Sequence, residues 1–182
     1  NFTTTSFSVI DGYVRNAKIY IDTNGNGIAE DSEFTGVVTD ENGSFFLPTN
    51  RPAGAIIATG GVNIDTGVAN TIEFKAPTES TVLTPLTTLI QAYIAANKVD
   101  AANAENAIKA ALGIPDNIDL LNYDPLAEAP GNADALAVQK IAASIATIIT
   151  LAAGSNNVLE NTVISNLVTA IKDANNSTTT ID

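Results

Sequence analysis

Residues 22–33 read DTNGNGIAEDSE, and this stretch decides how the chain is organised. It fits the calcium-loop pattern D-x-[DN]-x-[DN]-G-x5-E at every constrained position. A hard cation such as Ca²⁺ takes six to eight oxygen ligands, which a tight loop supplies from alternate residues. Gly27 permits the sharp turn at the sixth position. The predicted metal ligands are the side chains of Asp22, Asn24, Asn26 and Glu33 and the backbone carbonyl of Ile28.

A second interpretation of this stretch is a plain turn, because Asn-Gly pairs are also good hairpin chemistry. Four matched ligand side chains and the matched glycine favour calcium over a bare turn. The loop contains no basic residue, and Glu30 and Asp31 add to its negative field. We therefore expect one Ca²⁺ as the cofactor of this chain.

The segments on either side of the loop predict strands. Residues 14–21, VRNAKIYI, alternate in polarity and are rich in β-branched side chains. Residues 34–39 form a second predicted strand, the Asn-Gly turn at 40–43 follows, and residues 44–47 form a third. An EF-hand needs a helix on each side of its loop. A loop between strands favours a structural clip over a calcium sensor.

Composition excludes several functional classes. The chain has 182 residues, with 8 Lys and Arg against 20 Asp and Glu, for a formal net charge of −12. Such a charge repels nucleic acid and anionic membranes and attracts divalent cations. Cysteine and histidine are both missing from the sequence, so neither disulfides nor imidazole catalysis can occur. The apolar run 141–153 is shorter than the roughly 20 residues that span a bilayer, so we expect no membrane insertion.

The chain changes character near Thr84, from turn-rich, β-branched sequence to alanine-rich sequence with helical spacing. We predict an α+β protein: a small antiparallel β-sandwich with the calcium loop between two of its strands, followed by a bundle of about four α-helices. The expected parts are 7–83 for the sandwich and 84–174 for the helices, with polar linkers at 1–6 and 175–182. Beyond the three strands already named, strands are predicted at 7–10, 55–59 and 71–75.

Helix boundaries follow from capping signals. Thr84 and Pro85 begin the first helix, and Asp100 caps a second that stops at Gly113. A third helix is predicted at 133–153 and a fourth around 159–171. The first helix presents an apolar face, part of which we expect to pack on the sheet. That face comprises Leu86, Leu89, Ile90, Tyr93 and Ile94, and the third helix carries a stripe of Val138, Ile141, Ile145 and Ile148.

Residues 12–47 resemble the B-type prealbumin-like repeats of bacterial surface proteins, in which an early strand leads into an acidic loop. The hairpin TDENGSF at 39–45 matches the one that follows that loop in the repeats. Residues 59–67, 75–77 and 82–89 are similar to a module of large secreted bacterial adhesins of the RTX type. The likeness continues through 111–115, 123–126 and 137–140, and so covers about 9–153.

The resemblance implies a secreted module on the bacterial cell surface, stiffened by calcium and carried near ligand-binding domains. We therefore expect a non-catalytic structural module of an adhesin, acting in cell adhesion and biofilm formation. Its partners would be neighbouring domains of the same adhesin, with a host or cell-surface glycan or protein as a further partner. We expect a monomer that binds no nucleic acid. The alternative is a glycan- or peptide-binding adhesin module.

Other candidate sites have simpler interpretations. A catalytic pair of carboxylates is conceivable near 119–128, but we interpret Asp119 and Asp124 as turn and cap residues. Asn63, Asp65 and Thr66 suit either a turn or a second ion. Some B-type repeats contain a Lys–Asn crosslink beside a carboxylate, but Lys18 and Glu73 lack the flanking motif. Four tyrosines could stack on sugar rings if grouped; they are Tyr13, Tyr20, Tyr93 and Tyr123.

Overall fold

The computed structural model describes residues 3–128 and 131–178. Within this part of the chain, nine short strands come before five α-helices, so the protein has the α+β class predicted from its sequence. The strands are β1 (Thr4–Val9), β2 (Val14–Arg15), β3 (Lys18–Asp22), β4 (Phe34–Val38), β5 (Ser44–Pro48), β6 (Ala55–Thr59), β7 (Val62–Asn63), β8 (Phe74–Ala76) and β9 (Val82–Leu83). The helices are α1 (Pro85–Asn97), α2 (Ala101–Leu112), α3 (Pro125–Glu128), α4 (Ala133–Ala153) and α5 (Asn157–Thr178).

The strands form a three-stranded sheet in the order β5-β1-β9, a four-stranded sheet in the order β4-β3-β6-β8, and a ribbon of β2 and β7. All pairs are antiparallel except β1 and β9, which run parallel. Phe7 and Phe45 stack with ring centroids 5.0 Å apart on the buried face of the first sheet. Residues 4–6 lie in β1, so the expected linker at 1–6 is wrong over these three residues.

The single strand predicted at 14–21 is broken in two. Asn16 has a φ of 57°, in the left-handed region that asparagine tolerates better than most residues. Buried Thr39 bridges the break, since its hydroxyl accepts from the Ala17 amide at 2.9 Å and donates to the Val14 carbonyl at 2.7 Å. The first half of the segment therefore pairs with β7, whereas the second half joins the four-stranded sheet.

Two strands were not predicted, and a third begins three residues later than predicted. β7 and β9 are only two residues long, too short for alternation to reveal them. β8 begins at Phe74, not at 71, because Asn70 holds the preceding segment in a turn. The Asn70 side-chain amide donates to the carbonyls of Gly60 and Ile72 at 3.0 and 2.8 Å.

The helix boundaries largely confirm those predicted from the capping signals. Thr84 forms a reciprocal capping box with Thr87, Asp100 caps α2, and α4 has the predicted bounds. Helix α3, a single turn of four residues, was not predicted. Helix α5 continues to Thr178, so residues 175–178 are helical and the expected linker at 175–182 is wrong there. Residues 179–182 lie outside the described part.

Side chains from both sheets and from four helices form one hydrophobic cluster. Helix α1 packs on β8 and β9, and the side chains of Leu86, Leu89 and Ile90 are buried. This confirms the expectation that its apolar face contacts the sheet. The Thr87 hydroxyl donates to the Lys75 carbonyl at 2.8 Å and the Thr88 hydroxyl accepts from the Lys75 amide at 3.0 Å, which fixes α1 to β8 through the backbone.

Helix α4 is, among the described helices, the one long and apolar enough to cross a membrane by length and composition, with a mean hydropathy of 1.7. Helix α4 contacts α1 and α5, and its buried face contains Val138, Ile145 and Ile149. Ile148 of the predicted stripe is 46% exposed, because a helical period of 3.6 carries the buried face to position 149 instead. The absence of membrane insertion stays a prediction.

Candidate calcium loop

The loop at 22–33 lies between two paired strands. Strand β3 ends at Asp22, and a short 3₁₀ turn over Asp31–Glu33 leads into β4. Tyr20 of β3 pairs with Phe34 of β4, and their rings pack 5.3 Å apart. The strand pairing therefore brings the first and last predicted ligands to the same end of the four-stranded sheet.

Asp22 organises the first half of the loop. Its Oδ1 accepts from the backbone amides of Gly25 and Asn26 at 2.8 and 3.1 Å. Its Oδ2 accepts from the amide of Gly27 at 2.8 Å, where a φ of 75° turns the chain sharply. Asn24 Oδ1 accepts from the Asn26 amide at 2.9 Å. A buried carboxylate thus holds the backbone of the turn from within.

Glu33 closes the loop from its other end. Its Oε1 accepts from the backbone amides of Thr23 and Asn24 at 2.7 and 3.3 Å, and from the Thr23 hydroxyl at 3.0 Å. Burial raises the pKa of the Glu33 carboxyl, but the hydrogen bonds, led by those from Thr23, outweigh it and hold the pKa below its ordinary value. The residue is only 8% exposed, yet it remains ionised at neutral pH.

The second oxygen of Glu33 is the feature that best fits a cation. Oε2 is buried and has no hydrogen-bond partner among the described residues. An unpaired buried carboxylate oxygen is costly, and a bound metal ion is one way to satisfy it. The twelfth position of a calcium loop supplies a bidentate glutamate, in which both oxygens bind the ion.

The other predicted side-chain ligands also keep acceptor capacity. A carboxylate or amide oxygen has two lone pairs. Asp22 Oδ2 uses one for Gly27, Asn24 Oδ1 uses one for Asn26, and Asn26 Oδ1 uses one for the Ile28 amide at 2.8 Å. Among the described residues, no group of three His, Cys, Asp or Glu side chains is placed to hold a metal ion. The site would therefore depend on mixed carboxylate, amide and carbonyl oxygens, a set that suits calcium.

A lysine lies against the loop, which the sequence did not indicate. Lys75 Nζ donates to the Gly27 carbonyl at 2.6 Å, although 48 positions separate the two residues. The same Nζ lies 3.1 Å from Glu73 Oε1. The positive charge of Lys75 opposes the binding of Ca²⁺ in the loop, and the Glu73 carboxylate offsets part of that repulsion.

Helix α5 reaches the same region through Glu160. Its Oε1 accepts from the backbone amide of Glu73 at 2.8 Å, and the residue is only 3% exposed. Burial raises the pKa of the Glu160 carboxyl to about 7; the Glu73 amide lowers it, the Glu73 carboxylate adds to the rise, and Lys75 opposes it. Loop, β8 and α5 are thus connected through consecutive polar contacts.

The other candidate residues have local roles. Asp124 Oδ1 caps α3 through the amides of Leu126 and Ala127, and its Oδ2 accepts from the Tyr13 hydroxyl at 2.8 Å. Asp119 accepts from the amide of Leu121 and the side chain of Asn122, as a turn residue does. Asn63 Oδ1 accepts from the amides of Asp65 and Thr66, which closes a turn.

The residues considered for a crosslink, Lys18 and Glu73, lie in different settings. Lys18 is exposed at the start of β3, whereas the side chain of Glu73 pairs with Lys75. The predicted calcium ligands, in contrast, all lie in one loop. Comparison with known proteins adds no assignment to this geometry, since no family model, curated protein or solved structure matches the chain.

Proposed function

We propose that this chain is a non-catalytic structural module stabilised by one Ca²⁺ in the loop 22–33. The observation that carries the proposal is the buried, unpartnered Oε2 of Glu33. The ion would take this oxygen together with the side chains of Asp22, Asn24 and Asn26 and the carbonyl of Ile28, while Oε1 keeps its hydrogen bonds to Thr23 and Asn24. Calcium would supply charge neutralisation and a rigid connection between β3 and β4. The two larger sheets would then be the layers of a small β-sandwich, and the ion would hold the connection between β3 and β4 in place.

The setting that we propose is the ligand-binding region of a bacterial cell-surface adhesin. The support is the resemblance of residues 12–47 to B-type surface repeats, together with a loop that joins strands and not helices. A clip of this kind suits a secreted module that must hold its shape between neighbouring domains. We propose that those domains are its main partners and that the module is a monomer.

The test is thermal unfolding with calcium and with chelator. A ligand at a hundredfold excess over its dissociation constant stabilises the folded state by about 2.7 kcal/mol, or roughly 5–10 °C in a chain of this size. Glu33→Gln and Asp22→Asn keep the size of the side chains but remove the charge, and should abolish most of the rise. Glu79→Gln changes an exposed glutamate outside the loop and should leave the rise intact.

Equal melting curves in millimolar calcium and in chelator would contradict the proposal. A rise that survives in Glu33→Gln but not in Glu79→Gln would place the ion elsewhere. Magnesium is a useful comparison, because it demands near-octahedral geometry and gives up its waters reluctantly. It should therefore stabilise the protein less than calcium at the same concentration.

A further inference from the structure

A small cavity of about 80 Å³ lies between the turn after β1, the start of α1, the segment 120–126 and α4. We call it the α4 cavity. Its walls are mostly apolar and include the buried residues Leu86, Leu120 and Val138. A water-sized group needs about 10–15 Å³ of cavity volume, so there is room for roughly five to eight non-hydrogen atoms. The cavity shares no lining residue with the calcium loop.

A carboxylate without a partner lines this cavity. Asp11 is partly buried in the turn after β1, where its backbone carbonyl accepts from the side chain of Asn63. Its carboxylate makes no hydrogen bond or ion pair within the described part of the chain. Burial alone raises the pKa of the Asp11 carboxyl. A carboxylate that has lost water without gaining a partner is unfavourable, and a bound cation would offset that cost.

The charges that act on the α4 cavity are negative. Among the described residues that line it, Asp11 is the one charged group. Burial raises the pKa of the Tyr123 hydroxyl on the cavity wall, and the nearby carboxylates of Glu128 and Asp134 raise it further. Lys140, the lysine of α4, is exposed and lies outside the lining. The local field therefore favours a positive ligand over a neutral or negative one.

Two neutral polar side chains complete the lining. The Tyr123 hydroxyl and the Gln139 amide make no hydrogen bond among the described residues, and each can accept one. The aromatic face of Tyr123 also attracts a cation. An ammonium group carries three donors, which the carboxylate of Asp11 and these two acceptors can satisfy. A few polar groups among apolar walls is the usual arrangement of a site for a small ligand.

We propose that the α4 cavity binds a primary alkylammonium group. Asp11 pairs with the ammonium, Tyr123 and Gln139 accept its remaining hydrogen bonds, and the apolar walls contact the methylene chain. A bare metal ion fits less well, because no group of three His, Cys, Asp or Glu side chains in the described residues is placed to hold one. The group can come from a free amine or from a lysine side chain of another protein. This site goes beyond the structural function and uses none of the calcium ligands.

The experiment is titration followed by NMR chemical shifts, at neutral pH in saturating calcium, with two matched pairs of probes. Butylamine is compared with butanol, and N-acetyl-lysine methylamide with N-acetyl-norleucine methylamide. Both amines have a pKa of about 10 and are charged under these conditions. We expect saturable binding of at least one amine, with shifts at the cavity wall and weaker binding of its neutral counterpart. The amine that binds more tightly identifies the source of the ammonium group.

Three variants test the assignment. Asp11→Asn keeps the size of the side chain but removes its charge, and should weaken binding of the amine about tenfold. Asp173→Asn removes an exposed carboxylate of α5, outside the cavity, and should leave the affinity unchanged. Ala142→Leu fills the cavity while keeping every charge, and should abolish binding. Thermal unfolding of each variant shows whether it is folded.

The inference is wrong if neither amine saturates, if the neutral probes bind equally well, or if Asp173→Asn weakens binding as much as Asp11→Asn. Binding that survives in folded Ala142→Leu would place the amine on the acidic surface and would also contradict the inference. Failure here leaves the melting test of calcium untouched, so the two proposals can fail separately.

Discussion

At the scale of single residues, two buried glutamates differ because of what surrounds them. Glu33 Oε1 accepts three hydrogen bonds from Thr23 and Asn24, which favour its charged form. Glu160 accepts one amide bond and lies near the carboxylate of Glu73. Burial therefore dominates at Glu160 and raises its pKa to about 7, whereas hydrogen bonds keep the pKa of Glu33 low.

Glu160 should make stability depend on pH in an unusual direction. Its pKa in the folded protein, about 7, is above the ordinary value of 4.5, so the folded state holds this proton more tightly than the unfolded state. The resulting stabilisation is complete below about pH 4.5 and is lost as the pH rises through about 7. In Glu160→Gln, the amide oxygen can still accept from Glu73, and this loss should disappear.

Urea unfolding between pH 5 and 8, in chelator, measures the effect. The charged groups that face Glu160 are Glu73 and Lys75. The informative quantity is the difference in unfolding free energy between Glu160→Gln and the wild type. It should grow in favour of the variant between pH 5 and about 7 and level off above that. A difference that is constant with pH would contradict the assignment.

At the scale of elements, the hairpin between β4 and β5 depends on close contact at Gly43. Asp40 Oδ1 accepts from the amides of Asn42 and Ser44, which shapes the turn. Gly43 has a φ of 74°, and its carbonyl accepts from the Val9 amide at 2.9 Å. A Cβ at this position would lie 2.9 Å from the Val14 backbone nitrogen. The glycine thus lets the hairpin contact β1 and β2.

Gly43→Ala should destabilise the protein more than Gly67→Ala. Both glycines have a positive φ, but a Cβ at Gly67 meets no atom within 4 Å. Alanine at Gly67 should cost about 1–2 kcal/mol from backbone strain alone. Alanine at Gly43 should cost about 1–3 kcal/mol more, since backbone atoms must shift to admit it. Denaturant midpoints of the two variants give the comparison, and equal losses would show that the contact at Gly43 is not limiting.

At the scale of the whole molecule, the sheets and helices are joined by both core packing and polar contacts. Helix α1 lies on β8, and the hydroxyls of Thr87 and Thr88 in its first turn bond to the Lys75 carbonyl and amide respectively. The Lys75 ammonium contacts the calcium loop, and Glu160 of α5 accepts from the backbone amide of Glu73, two residues before Lys75. We therefore expect the halves on either side of Thr84 to unfold as one unit, with calcium stabilising both.

Two probes in one sample test this cooperativity. Far-ultraviolet circular dichroism reports mainly on the helices. The chain has no tryptophan, so Phe46→Trp, at a 57% exposed position on β5, gives a fluorescence signal from the sheets alone. The two signals should change at the same temperature, and chelator should lower both by the same amount. Separate transitions, with chelator acting only on the fluorescence, would show two independent domains.

The sequence by itself determined the features that depend on neighbouring residues. The cap at Thr84, the bounds of α4 and the hairpin at 40–43 follow from hydrogen bonds between residues within four positions of each other. The same locality made the predicted calcium ligands recognisable as one loop. Asn16, whose left-handed backbone breaks a strand, was missed because its effect depends on a bridge from distant Thr39.

Only the tertiary structure decided which distant groups meet. Lys75 reaches Gly27 across 48 positions, and Glu160 reaches Glu73 across 87. Strand β9 is too short to identify by pattern and is held by its parallel pairing with β1. Such contacts form because both halves of the chain bury apolar side chains in one core. A local sequence pattern does not show which distant surfaces that burial brings together.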